Sequence, residues 1–273
     1  MTMSFRAPWA GWIPRGIILG LLAFAIFGPL ANMALWAFTE AWYFPHKLPV
    51  EWGFSYWARV FRPRGNAITS MENSILIALF TVAVCLIVSI PAGYALGRHR
   101  LPARHLILLA FLLPQAFPNL AVYINIARIF YGYGLNGTIA GVVLVHTVQG
   151  LVFSVWIATA AFAAVDRELE DASRNLGASQ LETFIHVTLP LAAPGVMASG
   201  IFVFLLSLDE FTGTFFVGVP DIVTMPLLLF NASWEGNYQT ASITAILLLI
   251  PSIGFMLFIE RFLKADVLAK VGS

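Results

Sequence analysis

Six long stretches of the chain carry no Asp, Glu, Lys or Arg: residues 16–38, 74–97, 106–127, 137–165, 191–208 and 241–259. A helix needs about 17–25 apolar residues to cross the hydrocarbon of a bilayer, and each stretch reaches that length. Only a lipid surround tolerates such runs as exterior surface. The pattern predicts an all-α membrane protein with six transmembrane helices, forming a single domain over residues 1–273. Pro91 and Pro114 lie within spans and are expected to bend them. The first run is too long for the apolar part of a cleaved signal and lacks a clean small-residue cleavage site, so it is expected to stay as a span.

Between the runs the polar positions form loops of different kinds. The segment from Thr39 to Asn73 holds Pro45, Pro49 and the stretch Phe54-Ser55-Tyr56-Trp57-Ala58-Arg59-Val60-Phe61, which reads as a short amphipathic helix at headgroup level. Tyr131-Gly132-Tyr133-Gly134-Leu135-Asn136-Gly137 is a glycine-rich turn joining the third and fourth runs. The fifth and sixth runs are joined by a longer loop containing Pro220, Asp221 and Trp234-Glu235-Gly236-Asn237.

Composition agrees with the pattern: 59% of residues are hydrophobic and 11% charged, against about 25% charged in soluble domains. Mean hydropathy is +0.84. The net charge of +1 gives no basic face for nucleic acid. Cys85 is the single cysteine, the five histidines are dispersed, and no metal-ligand cluster or cofactor motif is visible. Cys85 reads as a small packing residue.

The positive charges set the expected orientation. Arg6, Arg15, Arg98, Arg100, Arg104, Arg167, Arg174, Arg261, Lys264 and Lys270 fall on the side of the termini, and Lys47, Arg59, Arg62, Arg64 and Arg128 on the other. Ten against five predicts that this multi-pass membrane protein has both termini in the cytoplasm.

One loop differs from the rest. Residues 166–190 hold seven charged residues in twenty-five and read as ordered. Asp166 can cap a helix whose first turns carry Glu168, Glu170 and Asp171, where the helix dipole favours anions. Leu169, Ala172, Ser173 and Leu176 recur at i, i+3, i+4 and i+7, which predicts one small apolar face opposite an exposed acidic one. Gly177 stands where a left-handed C′ residue belongs. Ser179-Gln180-Leu181-Glu182 is a capping box opening a second helix, expected to end near Leu189-Pro190. Such a pair is either a solvated connector or a rigid element that enters a groove on a partner.

The segment Glu170-Asp171-Ala172-Ser173-Arg174-Asn175-Leu176-Gly177, followed by Val187-Thr188-Leu189-Pro190, resembles the "EAA" loop of binding-protein-dependent ABC importer permeases. Asp171, Ser173 and Val187 replace the Glu, second Ala and Ile of that pattern, all conservatively in charge or size. Asn73-Ser74 and the Gly134-Leu135-Asn136-Gly137-Thr138 turn are similar to the same family. The resemblance implies a type I importer fold. It also implies an ATPase-coupling role for Glu170, Asp171, Ala172, Ser173, Gly177, Leu189 and Pro190. Gly177 would supply backbone freedom and Ala172 close approach. The implied partners are two ATP-binding subunits, a second permease subunit, most often different from this one, and an external solute-binding protein.

Leu206-Ser207-Leu208-Asp209-Glu210-Phe211-Thr212-Gly213-Thr214-Phe215-Phe216 resembles the "SLDDF…TFF" stretch of the spermidine/putrescine branch, and Thr224-Met225-Pro226-Leu227 fits it too. This implies a polyamine-like or other small organic solute, with a carbohydrate as the alternative. Asp209 and Glu210 are carboxylates at the edge of an apolar helix, a costly placement that marks functional candidates. They either attract a cationic solute or sit solvated at the interface. His146 and Gln149 either line a pathway or bond to a neighbouring helix, and helix packing is preferred. Asn119, Tyr123 and Asn125 are weighed in the same way, with Tyr123 read as an interfacial aromatic.

Other classes fit less well. No Gly-x-x-x-x-Gly-Lys-Ser/Thr motif occurs, so ATP would be hydrolysed by another chain and this subunit would be non-catalytic. A secondary transporter favours internal repeats and charged or broken helices near the midplane, and an intramembrane enzyme favours motifs such as His-Glu-x-x-His. None of these is visible.

Overall fold

The computed structural model describes residues 12–99 and 101–271, with side chains from residue 15 to residue 257. Helix α1 (Trp12–Ala37) is followed by a short antiparallel pair, β1 (Thr39–Ala41) and β2 (Glu51–Trp52), and by α2 (Ser55–Val60). Then come α3 (Ala67–Arg98), α4 (Arg104–Ala116), α5 (Asn119–Gly132) and α6 (Ile139–Ala163). Residues 166–190 contribute α7 (Arg167–Asn175), α8 (Gln180–Thr183) and a π turn, Phe184–Thr188, leading into α9 (Leu189–Asp209). The chain closes with α10 (Thr212–Val217), α11 (Met225–Trp234) and α12 (Tyr238–Val271). Among the described residues five helical stretches are long and apolar enough to cross a membrane, and the number is six if the bent pair α4–α5 counts as one span. The expected all-helical architecture holds, apart from the two short strands.

Helices α3, α6 and α9 pack on one another and form the centre. Helices α3 and α6 cross at close range. A Cβ added at Gly93 would lie 2.7 Å from the Ala158 Cβ, nearer than real side chains come, so this crossing needs the missing methyl. Polar atoms tie the bundle: the buried Ser199 Oγ donates to the Ser154 carbonyl at 3.3 Å, and the part-buried Trp156 Nε1 to the Leu108 carbonyl at 3.2 Å. On the far side from the 166–190 segment, the Met225 N–H donates to Ser74 Oγ at 2.8 Å, joining α11 to α3. Helix α1 packs mainly on α12 and leaves most of its side chains outward.

Three boundaries differ from the sequence expectation. The third run is not one gently bent span: α4 and α5 meet at 94°. The break falls at Phe117-Pro118, where Phe117 is extended (φ −108°, ψ 150°), and not at Pro114, which lies inside α4. Proline drives the preceding residue away from helical geometry, and here it does so at Pro118. The second run gains two turns at its start and becomes the 32-residue α3, which includes Glu72. The helix opened by the capping box does not stop at Pro190. It runs unbroken from Gln180 to Asp209, because the wider π turn over Phe184–Thr188 relieves the clash a proline ring makes with the carbonyl four residues back.

The amphipathic stretch forms α2, held by the Glu40 carboxylate, which accepts from the Ser55 N–H at 2.8 Å and its hydroxyl at 2.7 Å. Those hydrogen bonds hold the Glu40 pKa below the usual carboxylate range. Of the charges used for orientation, Arg6 and Arg100 and the side chains of Arg261, Lys264 and Lys270 lie outside the described residues.

Candidate functional site: a buried ion pair beneath a helix pair with exposed leucines

The 166–190 segment is as ordered as its capping residues imply. Asp166 accepts from the Glu168 N–H at 3.0 Å and starts α7. At the other end the Gly177 N–H bonds to the Arg174 carbonyl at 3.0 Å and the Ala178 N–H to the Ser173 carbonyl at 3.3 Å. This is a Schellman ending, and it puts Gly177 at φ +96°. The capping box closes in both directions: the Ser179 N–H donates to Glu182 at 2.7 Å, and the Glu182 N–H to Ser179 Oγ at 3.3 Å. Ser173 and Thr183 hydroxyls lie 3.2 Å apart and clip α7 to α8.

Asp166, Glu168 and Asp171 are exposed as expected, but the leucines do not turn inward and one acid does. Glu170 is buried, 6% exposed, whereas Leu169, Leu176 and Leu181 are 48%, 90% and 67% exposed. Ala172 is exposed as well. The cause is Arg98 at the end of α3, itself buried. Its Nε donates to Glu170 Oε1 at 3.0 Å, and its Nη2 stands 2.7 Å from Oε2, a side-on bidentate pair. Arg98 Nη1 also donates to the Val165 carbonyl at the end of α6. Thr188 in the π turn donates its hydroxyl to Glu170 Oε1 at 2.7 Å. A buried cation needs a counter-charge far more than a leucine needs cover at this edge of the bundle, so α7 is rotated to supply one. Burial alone raises the Glu170 pKa, but the hydrogen bonds from Arg98 and Thr188 and the Arg98 charge outweigh it and hold the carboxyl below its ordinary range.

Four elements thus converge on one carboxylate: α3, the end of α6, α7 and the turn into α9. Asp171 points outward and pairs with Arg174 at 2.9 Å. Leu189 is half-buried, and Pro190 is exposed at the start of α9. Arg98 and Thr188, the two partners of Glu170, were not singled out for this role by the sequence. Arg98 was read only as one of several topology-setting arginines.

The pathway candidates do not gather at one site. His146 is fully buried, with Nδ1 2.8 Å from Ser207 Oγ and Nε2 2.9 Å from Thr214 Oγ1, so it fastens α6 to α9 and α10. Gln149 is half-buried, and Asn119 is exposed at the start of α5. Tyr123 is not interfacial. It is 1% exposed and packs in the core with Ile77, Val142 and Val217. Asp209 is exposed, but Glu210 turns inward and accepts from the Gly213 N–H at 2.8 Å, opening α10.

The model of the family described as "Binding-protein-dependent transport system inner membrane component" matches residues 89–267. The chain belongs to this family. It is the permease subunit of an ABC importer, a membrane component and not the hydrolytic one. The trehalose transport system permease SugB of Mycobacterium tuberculosis is 29% identical to the permease over 210 residues, 75% of this chain and 77% of the relative. The candidate 2-aminoethylphosphonate transport system permease PhnV of Salmonella typhimurium is 25% identical over 266 residues, 93% and 97% of the two chains. Neither name refers to a polyamine. Among solved structures, a bacterial ABC transporter involved in the import of alginate contains a chain that superposes with TM-score 0.74 at 19% identity, covering 96% of the permease and 99% of that chain. That likeness supports the type I importer fold.

Proposed function

We propose that the 166–190 segment of this permease is its ATPase-coupling element. Two ATP-binding subunits would each engage one permease of a pair, the second permease being a different chain. An external binding protein would deliver the solute. The termini and the 166–190 segment would then face the cytoplasm. One observation carries this reading: a helix pair stiffened by a Schellman ending and a capping box presents Leu169, Leu176 and Leu181 to the outside instead of burying them. An exposed leucine cluster on a rigid support is what a groove on a partner recognises. Beneath it, Glu170 ties the pair to α3, α6 and α9, so a push on α7 is delivered to the centre of the bundle.

For the solute, we infer a small amine-bearing molecule, polyamine-like or an aminoalkyl phosphonate. The stretch 206–216 and the nearly full-length similarity to PhnV support it. A carbohydrate is the second reading, favoured by the similarity to SugB. Because Glu210 is engaged with Gly213, Asp209 is the carboxylate left to meet a cationic group near the end of α9.

Proteoliposomes holding the permease pair, the ATPases and the binding protein test both parts. Uptake is expected only with ATP inside and all components present, and putrescine or 2-aminoethylphosphonate should compete better than trehalose. Uptake by this chain alone would overturn the coupling role, and competition by trehalose alone would replace the amine reading with the carbohydrate one.

A further inference from the structure

We propose that the cavity between the α3–α4 turn and the start of α7 binds the phosphate headgroup of an anionic phospholipid. Arg104, Arg167, His99 and His105 line this cavity together with Leu101 and Leu106, and among the described residues no carboxylate lines it. Neither Arg104 nor Arg167 forms an ion pair among the described residues. Arg167 is oriented by donating Nη2 to the Arg98 carbonyl at 3.1 Å. Arg104 Nε is buried and has no hydrogen-bond acceptor among the described residues. The nearby acids are already engaged: Asp166 with the Glu168 N–H, Glu170 with Arg98, and Asp171 with Arg174. The cavity therefore gathers basic side chains that no carboxylate among the described residues neutralises.

Its place in the fold selects the kind of anion. The cavity sits where α3, long and apolar enough to cross a membrane, ends at Arg98 and the apolar helix α4 begins at Arg104. Basic pockets at such boundaries take lipid headgroups, and arginine forks match phosphate oxygens. From the cavity, Leu106, Leu109 and Leu113 run along one side of α4, 67%, 56% and 57% exposed. At spacings of three and four they form a continuous apolar track on which an acyl chain can lie below its headgroup. A free phosphate has no use for that track. Because Arg167 opens α7, a lipid held here touches the base of the 166–190 segment. Its influence on transport rests on the coupling reading above, but its binding does not.

Native mass spectrometry of the complete transporter, equilibrated in detergent with equal amounts of phosphatidylglycerol and phosphatidylcholine, reads binding without transport. Two arginines at a membrane surface correspond to roughly a thirtyfold preference for the anionic lipid. The expected result is retained phosphatidylglycerol, lost in the double variant Arg104→Gln plus Arg167→Gln and restored by Lys at both positions. Equal retention of the two lipids, or an unchanged preference in the Gln variant, would overturn the proposal. Inorganic phosphate is added in a parallel arm. Failure of phosphate to displace the lipid supports the track along α4, and complete displacement by phosphate overturns the lipid assignment in favour of a free anion. The monodispersity of each variant complex checks that it has folded.

Discussion

The Arg98–Glu170 pair makes the sharpest demand on this structure. Glu170→Gln keeps the side-chain shape and one acceptor for the Thr188 hydroxyl, but it leaves the Arg98 guanidinium buried without a counter-charge. Removing one member of a buried pair costs about 3–5 kcal/mol. Arg98 retains the Val165 carbonyl and Gln can still accept one bond, so the low end applies. About 3 kcal/mol lowers the ratio of docked to undocked α7 by roughly 150-fold. Hydrogen exchange of the amides of residues 167–177 in the assembled transporter should accelerate accordingly, while those of α6 and α9 stay protected. Uptake per ATP hydrolysed should fall, because the ATPases would move a loosened helix. The double variant Arg98→Met plus Glu170→Met removes both charges and should cost less than Glu170→Gln alone. Unchanged exchange in Glu170→Gln, or a double variant worse than the single, would refute the role given to this pair.

Other expectations follow from the same geometry. Gly177→Ala meets no atom within 4 Å, so its cost is the left-handed backbone alone, about 1–2 kcal/mol, seen as faster exchange at residues 176–180. Gly177→Asp adds a charge on the exposed side and should leave the fold intact while uncoupling uptake from ATP hydrolysis. Leu176→Asp, at a position 90% exposed, should not change the thermal stability of the isolated permease but should abolish co-purification with the ATPases. His146→Leu removes two bonds that hold α6 to α9 and α10. At about 0.6–1.7 kcal/mol for each intramembrane bond, it should lower the unfolding temperature measurably without altering ATPase binding. The Glu170 carboxyl is held below its ordinary pKa by Arg98 and Thr188 despite its burial. Its stabilising contribution is therefore complete above the ordinary carboxylate pKa of about 4.3 and is lost as pH falls through the lower folded value. Exchange of α7 should accordingly show no Glu170-linked change from pH 8 to pH 6 and rise only in acid.

Much of the fold was legible because lipid imposes a simple rule: uncharged runs of sufficient length are spans. The loop caps were equally legible, since Asp166, Gly177 and the Ser179–Glu182 box act through neighbours in sequence. Proline effects were harder to place. Pro114 and Pro118 stand four residues apart, and the same local preference applies to the residue before each. The 94° break falls at Pro118 because α5 turns aside to pack on α10, with Tyr123 buried there among residues distant in sequence. Pro190 disfavours a helix locally, yet the π turn carries the helix past it.

The inverted face of α7 has a different origin. Helical periodicity groups Leu169, Ala172 and Leu176 on one side but contains no information about which side faces the protein. Ordinarily the apolar side wins, because burying leucines is favourable by about 2 kcal/mol each. Here the alternative is a buried guanidinium at the end of α3 with no counter-charge, a penalty of about 3–5 kcal/mol, while Leu169 is already half covered and leaves chiefly Leu176 at the end of α7 to gain from burial. Arg98 lies 72 residues before Glu170, so no local pattern could reveal the contest. The outcome leaves the leucines outside. Under the coupling proposal, the apolar exposure this surface costs the free permease is compensated against the ATPase, and the ion pair that holds the leucines outward also anchors that surface to α3, α6 and α9.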